Sequence, residues 1–264
     1  MKAYDFEYEN FKLSDFNMII CKFGSSGIET VSGSHIAFEM ISTMNGTKHE
    51  LISYKYDNYL TSTFQICKNS CGKNVSNEIT IDEYRNIVKW LNRKEFHKFK
   101  LIDEDYINVY FEATFNVNKI EMNGRIYGLE LEMITNRPYA IHEPITLQIK
   151  NTESNGVKKI YSKSDDEGYI YPEMEILIEE DGNLEIHNSL EDRIMRIANC
   201  KSGEVIKINY PIIETSNDEH KINNDFNWNY FRIANTFRDK ENVLTISLPC
   251  TIKMKYSPVV KVGI

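Results

Sequence analysis

Apolar and polar residues alternate one for one along most of this chain, and a single stretch shifts to the period of an α-helix. Near the start, Tyr4, Phe6 and Tyr8 alternate with Asp5, Glu7 and Glu9, which predicts a strand with one buried face. Residues 16–23 predict a second strand, closed by the breaker Gly24-Ser25-Ser26-Gly27. Residues 50–56 and 60–67 predict two more, and 68–77 a polar, glycine-containing turn. Further on, Ile107, Val109 and Phe111 oppose Asn108, Tyr110 and Glu112, and Phe115-Asn116-Val117 continues that strand. Asn123-Gly124 then predicts a two-residue hairpin turn, because both central positions of such a turn need positive φ. In the returning strand, 125–135, Tyr127, Leu129, Leu131 and Met133 face away from Gly128, Glu130 and Glu132.

The helical stretch is bounded by its own signals. Thr80-Ile81-Asp82-Glu83 has the form of a capping box, in which the Thr oxygen accepts from the third backbone N–H and Glu83 reaches back. Asp82 and Glu83 also suit the positive end of the helix dipole. Tyr84, Ile87, Val88 and Leu91 form an apolar stripe, and Arg93 and Lys94 place cations at the end of a helix near 81–94. Trp90 lies beside the stripe. It is a candidate interface residue, with half-buried packing as the alternative.

Pro138 and Pro144 stiffen the chain around residue 140, which divides it into domains 1–139 and 140–264. The second half predicts strands at 170–178, 184–188 and 205–210, with turns at Asp181-Gly182-Asn183 and Ser202-Gly203-Glu204. A final turn over 238–242 feeds a β-branched run and a last strand ending in Tyr256-Ser257-Pro258. Short strands at regular spacing predict a mainly β fold, as a sandwich or barrel.

Composition narrows the function classes. At 264 residues the chain can bury a sizeable core without staples. A net charge of -8 supplies no basic face for a phosphate backbone, so specific nucleic-acid binding is not expected. The five cysteines are odd in number and scattered, which suits free thiols rather than a disulfide framework. Cys67 and Cys71 are the one close pair and lack a second pair of ligands at zinc spacing. The polar, acidic start has no signal-peptide pattern, and no apolar run is long enough to span a membrane. Synthesis and assembly in the cytoplasm are expected.

Candidate chemistry is sparse. No phosphate-binding loop, His-Glu-x-x-His or Gly-x-Ser-x-Gly occurs, so no catalytic residue, metal or cofactor is expected. Glu130 and Glu132 share a strand face about 7 Å apart, within a glycosidase's carboxyl spacing, although such a pair is usually just a solvated face. Asp165-Asp166-Glu167-Gly168 lacks the spacing of a calcium loop, and the six histidines are dispersed. Trp228 and Tyr230 lie two apart, which on a strand puts both rings on one face. They are candidate sugar contacts, with core packing as the alternative.

Several segments, taken in order, resemble one family. These are Phe11-x-Leu13 with Ser14-Asp15-Phe16-Asn17-Met18-Ile19-Ile20, Phe64-Gln65-Ile66-Cys67-Lys68-Asn69, and Ile87-Val88-Lys89-Trp90-Leu91. Ile126-Tyr127-Gly128-Leu129-Glu130-Leu131-Glu132-Met133, Gly168-Tyr169-Ile170-Tyr171-Pro172-Glu173-Met174 and Leu184-Glu185-Ile186-His187-Asn188 follow. Together with the C-terminal Glu241-Asn242-Val243-Leu244-Thr245-Ile246-Ser247-Leu248-Pro249, they make the chain resemble the distal tail proteins of long non-contractile-tailed bacteriophages. The resemblance implies an N-terminal β-sandwich-like ring domain with one helix and a hairpin, and a peripheral galectin- or carbohydrate-module-like sandwich. It implies a homo-hexameric ring at the virion tail tip, joining the tail tube protein to the hub, baseplate or receptor-binding proteins around a channel for DNA. It marks no interface residues and no sugar site. Two other readings stand beside it: a host-surface carbohydrate-binding protein using Trp228 and Tyr230, and a wall-degrading hydrolase using Glu130 and Glu132.

Overall fold

The computed structural model describes residues 3–23, 36–42, 48–56, 59–70 and 76–261. It divides into two compact units whose junction falls between Ile141 and His142, with Lys261 returning to the first.

The first unit is built from β1 (Phe6–Tyr8), β2 (Phe11–Lys12), β3 (Met18–Cys21), β4 (Ile36–Ser42), β5 (His49–Tyr56), β6 (Thr61–Lys68), α1 (Ile81–Leu91), β7 (His97–Leu101), β8 (Val109–Met122), β9 (Arg125–Thr135) and β10 (Ala140–His142). Its main sheet runs β2-β1-β7-β8-β9-β6-β3, with every neighbour antiparallel. The long β8–β9 hairpin closes at Asn123 (φ 53) and Gly124 (φ 76), the backbone that the Asn-Gly pair favours. Buried Phe6, Tyr8, Phe99, Phe111 and Phe115 fill the apolar face of this sheet. Ile107 is 64% exposed, contrary to the alternation. A short 3-10 turn (Glu104–Tyr106) precedes it and Asn108 adopts φ 59, so the strand begins only at Val109.

The capping box at Thr80 forms in both directions. Glu83 N donates to Thr80 Oγ1 at 3.3 Å and Thr80 N donates to Glu83 Oε2 at 2.7 Å. Thr80→Ala is expected to destabilise the protein by about 1 kcal/mol in a denaturant titration. No change would mean that the helix start is held by packing alone. The helix ends at Leu91 rather than Lys94. Asn92 leaves the helical region (φ -83, ψ 86) and its side-chain amide donates to the Phe115 carbonyl at 2.8 Å.

Helix α1 presents Ile87, Trp90 and Leu91 to the core. Trp90 is 5% exposed, stacks on Phe16 at 4.4 Å and on Phe6 at 5.6 Å, and donates from Nε1 to the Tyr8 carbonyl at 3.0 Å. The candidate interface residue is therefore a core residue of one chain. The buried stripe is rotated toward Trp90, because β1 offers both a ring and a carbonyl to that side.

The second unit contains β11 (Ile145–Asn151), β12 (Gly156–Tyr161), β13 (Gly168–Ile170), β14 (Glu173–Ile178), β15 (Gly182–Asn188), β16 (Arg193–Cys200), β17 (Val205–Asn209), β18 (Ile212–Thr215), α2 (Ile222–Asp225), β19 (Ile233–Asn235), β20 (Glu241–Ile246), β21 (Cys250–Tyr256) and β22 (Val259–Val260). One sheet runs β11-β21-β14-β17-β18 and the other β12-β20-β15-β16, while β13 and β19 form a ribbon. Inward residues of both sheets, among them Ile176, Ile252, Ile186 and Ile246, share one apolar cluster, as a sandwich requires. Asn242 is fully buried yet satisfied: its Oδ1 accepts from Ala234 N and from Asn188 Nδ2, each at 2.8 Å, and its Nδ2 donates to the Ala234 carbonyl at 2.9 Å.

Residues 226–232 do not form a strand, so Trp228 and Tyr230 do not share a face. Phe226 makes a lone bridge to Ile197 and Trp228 adopts φ 57. Consequently Trp228 is 55% exposed, whereas Tyr230 is 5% exposed and donates its hydroxyl to the Pro211 carbonyl at 2.6 Å.

One buried ionic cluster sits in this unit. His220 Nδ1 lies 2.6 Å from Glu204 Oε1, and its Nε2 lies 3.4 Å from Asp225 Oδ2. Lys201 N donates to Glu204 Oε2 at 2.9 Å, and Thr215 Oγ1 bonds to Oε1. Burial works to raise the Glu204 pKa, but the Thr215, Lys201 and His220 hydrogen bonds outweigh it and hold the carboxyl below its usual value. A depressed folded pKa gives stability that is complete above the unfolded value, near pH 4.3, and is lost as pH falls through the folded one. The stability gap between the wild type and Glu204→Gln is thus expected to narrow as pH drops below about 4.3. Urea midpoints taken across pH 3 to 7 check this; a gap that stays constant contradicts it.

Candidate functional site

Strands β4 and β5 pair with each other and, among the described residues, with no other strand. Their register places Ile36 opposite Tyr56, Phe38 opposite Tyr54 and Met40 opposite Leu51. Ile36, Phe38 and Met40 alternate along β4, as Tyr54 and Tyr56 do along β5, and a register shift brings Leu51 opposite Met40 on the same face. The other face carries Ala37 opposite Lys55, Glu39 opposite Ser53 and Ile41 opposite Glu50, with Ser53 Oγ donating to Glu39 Oε2 at 2.8 Å. A register shift between Glu39 and Met40 lets Ile52 bulge out.

The apolar face is open. Phe38 is 57% exposed, Met40 56%, Leu51 53% and Tyr54 68%. Four large side chains at that exposure leave on the order of 400 Å² of apolar surface, about half of one partner's share in a stable interface. A lone two-stranded hairpin is marginal in water, and an apolar patch of this size matches the largest that a typical monomer exposes, which is often a functional surface. At its base Tyr56 is half-buried and meets Tyr139 edge-on at 5.7 Å. The alternation Ile36-x-Phe38-x-Met40 is the sequence signal of β4, beside the strand predicted over 50–56.

The other sequence candidates separate. Glu130 accepts from Gln65 Nε2 at 3.1 Å and Glu132 from Asn118 Nδ2 at 3.1 Å, so each is held by a cross-strand amide. Cys71 and the Gly24-Ser25-Ser26-Gly27 segment lie outside the described residues. Cys67 instead neighbours Cys21, because β3 and β6 pair Ile19 with Cys67 and Cys21 with Gln65. Burial, then a hydrogen bond to Cys67, pushes the Cys21 thiol well above its ordinary pKa. A protonated thiol is neither a nucleophile nor a metal ligand. No helix among the described residues is long and apolar enough to cross a membrane.

Residues 1–137 match the family model described as the phage tail protein N-terminal domain, and residues 139–256 match the phage tail C-terminal domain. Among solved structures, the chain is similar to the SPP1 Dit (gp 19.1) protein, described as a paradigm of the hub adsorption apparatus in phages that infect Gram-positive hosts. That match has a TM-score of 0.66 and 9% identity, and covers 97% of this chain and 99% of that one. At this identity it shows a shared fold. No curated protein matches the chain.

Proposed function

The chain belongs to the phage tail protein family, and on that premise we propose that it is a distal tail protein of a long non-contractile-tailed phage. In this reading it is a structural, non-enzymatic ring, hexameric in form, at the virion tail tip. Residues 1–139 form the ring and residues 140–264 lie at its periphery. The ring joins the tail tube protein to the hub, baseplate or receptor-binding proteins and leaves a channel for DNA. Subunits are made and assembled in the cytoplasm of the bacterial host.

The observation that carries this reading is the β4–β5 hairpin, whose apolar face no other strand covers among the described residues. A second copy supplies that cover and repeats the contact around a closed ring. The net charge of -8 suits a channel that DNA passes rather than grips.

Light scattering on the purified full chain, with negative-stain images of the same fraction, tests the proposal. A species of about six subunits with an open centre is expected, given that most soluble oligomers close by rotation. A chain that stays monomeric at every concentration and also fails to bind isolated tail tubes overturns it.

A further inference from the structure

The second unit bears an exposed aromatic surface. We propose that Trp228, Tyr210 and Tyr171 form a binding surface for a neutral glycan. This proposal goes beyond the ring and does not depend on it.

Trp228 is 55% exposed, Tyr210 52% and Tyr171 36%. They are organised by one buried ring. Trp228 lies edge-to-face on Tyr230 at 6.4 Å and Tyr210 does the same at 5.1 Å, while Tyr171 stacks on Tyr210 at 4.2 Å. The Tyr230 hydroxyl holds the turn that carries Tyr210 through the Pro211 carbonyl. The surface is therefore a connected array on a common support, not a scatter of exposed residues.

Trp228 is held in place against its own preference. Its backbone sits at φ 57, a conformation that a bulky residue adopts only when its surroundings impose it. The surroundings here are two asparagines. Asn227 Oδ1 accepts from Arg196 N at 3.1 Å and its Nδ2 donates to the Ile194 carbonyl at 3.0 Å; Asn229 Nδ2 donates to the same carbonyl at 2.7 Å. These bonds bind the segment to β16 and turn the indole outward, with Phe226 against it at 5.6 Å. A large apolar ring held rigid in water gains nothing for folding. It gains affinity for a ligand, because little side-chain entropy remains to be lost on binding.

The chemistry around the rings selects the ligand. Tyrosine offers a flat face for C–H groups and a hydroxyl at its rim, which matches a sugar ring with an apolar face and polar edges. Asn209 and Asn227 are exposed beside Tyr210 and Trp228 in the chain, so polar residues flank the aromatics. A protein hot spot would instead sit in a contiguous, desolvated patch. The cation at the edge, Arg232, is already paired: its Nε donates to Glu191 Oε2 at 2.7 Å, and its guanidinium lies over the Tyr169 ring at 3.4 Å. Arg193 is engaged as well, its Nε donating to the Tyr230 carbonyl at 2.7 Å; with both guanidiniums held by groups of the chain itself, a neutral polysaccharide is favoured.

The chain has two tryptophans, and Trp90 is buried, so quenching by acrylamide reports on Trp228. The probes are maltohexaose, cellohexaose, chitohexaose and a solubilised neutral wall polysaccharide, with a teichoic acid as the anionic contrast. At least one neutral probe is expected to shield Trp228 from acrylamide. Trp228→Ala and Tyr210→Ala are each expected to weaken calorimetric binding of that probe by at least about tenfold, with Trp228→Phe partly restoring it. Both alanine variants should remain folded at the assay temperature, because each replaced ring is about half exposed. Shielding by none of the neutral probes, by the anionic one alone, or by raising the protein concentration without sugar overturns the proposal; the last result would make the surface a self-contact. A variant that has lost the ring through its hairpin should still bind the sugar, which separates failure here from failure of the ring.

Discussion

Replacing Phe38 and Tyr54 together by aspartate is expected to convert assembled rings into folded monomers. The two residues face each other across β4 and β5 and are 57% and 68% exposed in one chain. Their removal therefore takes little burial from the monomer; the lost cross-strand pair is worth about 0.2–1 kcal/mol. Against a neighbouring copy the same change removes two anchors and buries two unpaired carboxylates. Each truncated anchor typically weakens an interface by 2 kcal/mol or more, so a combined loss of at least about 4 kcal/mol is expected. That is roughly a thousandfold in dissociation constant per contact, and every subunit of a ring makes the contact twice. Light scattering should show the monomer mass at concentrations where the wild type is assembled, and the urea midpoint measured below the assembly concentration should be nearly unchanged. A double variant that still forms rings would free the hairpin from the interface. One that unfolds at lower urea would place the hairpin in the monomer's own core.

Trp90→Ala is expected to be the most damaging single substitution in the first unit, lowering stability by about 3–5 kcal/mol. The ring is 5% exposed, fills the space between Phe16 and Phe6, and supplies the donor for the Tyr8 carbonyl. Truncation leaves a cavity and an unsatisfied buried acceptor. Against the 5–15 kcal/mol that holds a typical domain, this is enough to populate unfolded protein near body temperature. Trp90→Phe keeps most of the volume and loses the hydrogen bond, so a smaller loss of about 1–3 kcal/mol is expected. Denaturant titrations at two widely separated protein concentrations check both values. The losses should be the same at each concentration, because the contacts lie within one chain. A loss that appears only above the assembly concentration would return Trp90 to the interface.

Features set by near neighbours were legible in the sequence. Thr80 and Glu83 cap the helix because each reaches the other's backbone N–H within one turn. Asn123-Gly124 makes its hairpin because these residues tolerate positive φ. The alternation along 125–135 gave the buried positions Leu129, Leu131 and Met133, since a strand's period of two needs no partner to be read. The mainly β class follows from the same local rules, and the family resemblance rested on the order of such segments.

Features set by distant partners were not legible. The stripe on α1 could not place Trp90 inside, because its hydrogen-bond acceptor is Tyr8, far back in the chain. Spacing alone put Trp228 and Tyr230 on one face. The amides of Asn227 and Asn229, bonded to β16, turned one ring out while the Pro211 carbonyl drew the other in. The sequence also held no sign that His220 would meet Glu204 in the interior. Nor could it show that Phe38, Met40, Leu51 and Tyr54 are exposed, since exposure depends on everything that packs nearby and not on the strand itself. By itself, then, the sequence determined the strands, the capped helix, the tight turn and the family. The tertiary structure decided which aromatic rings are core and which are surface, because burial is settled by contacts between segments that the chain's local pattern does not encode.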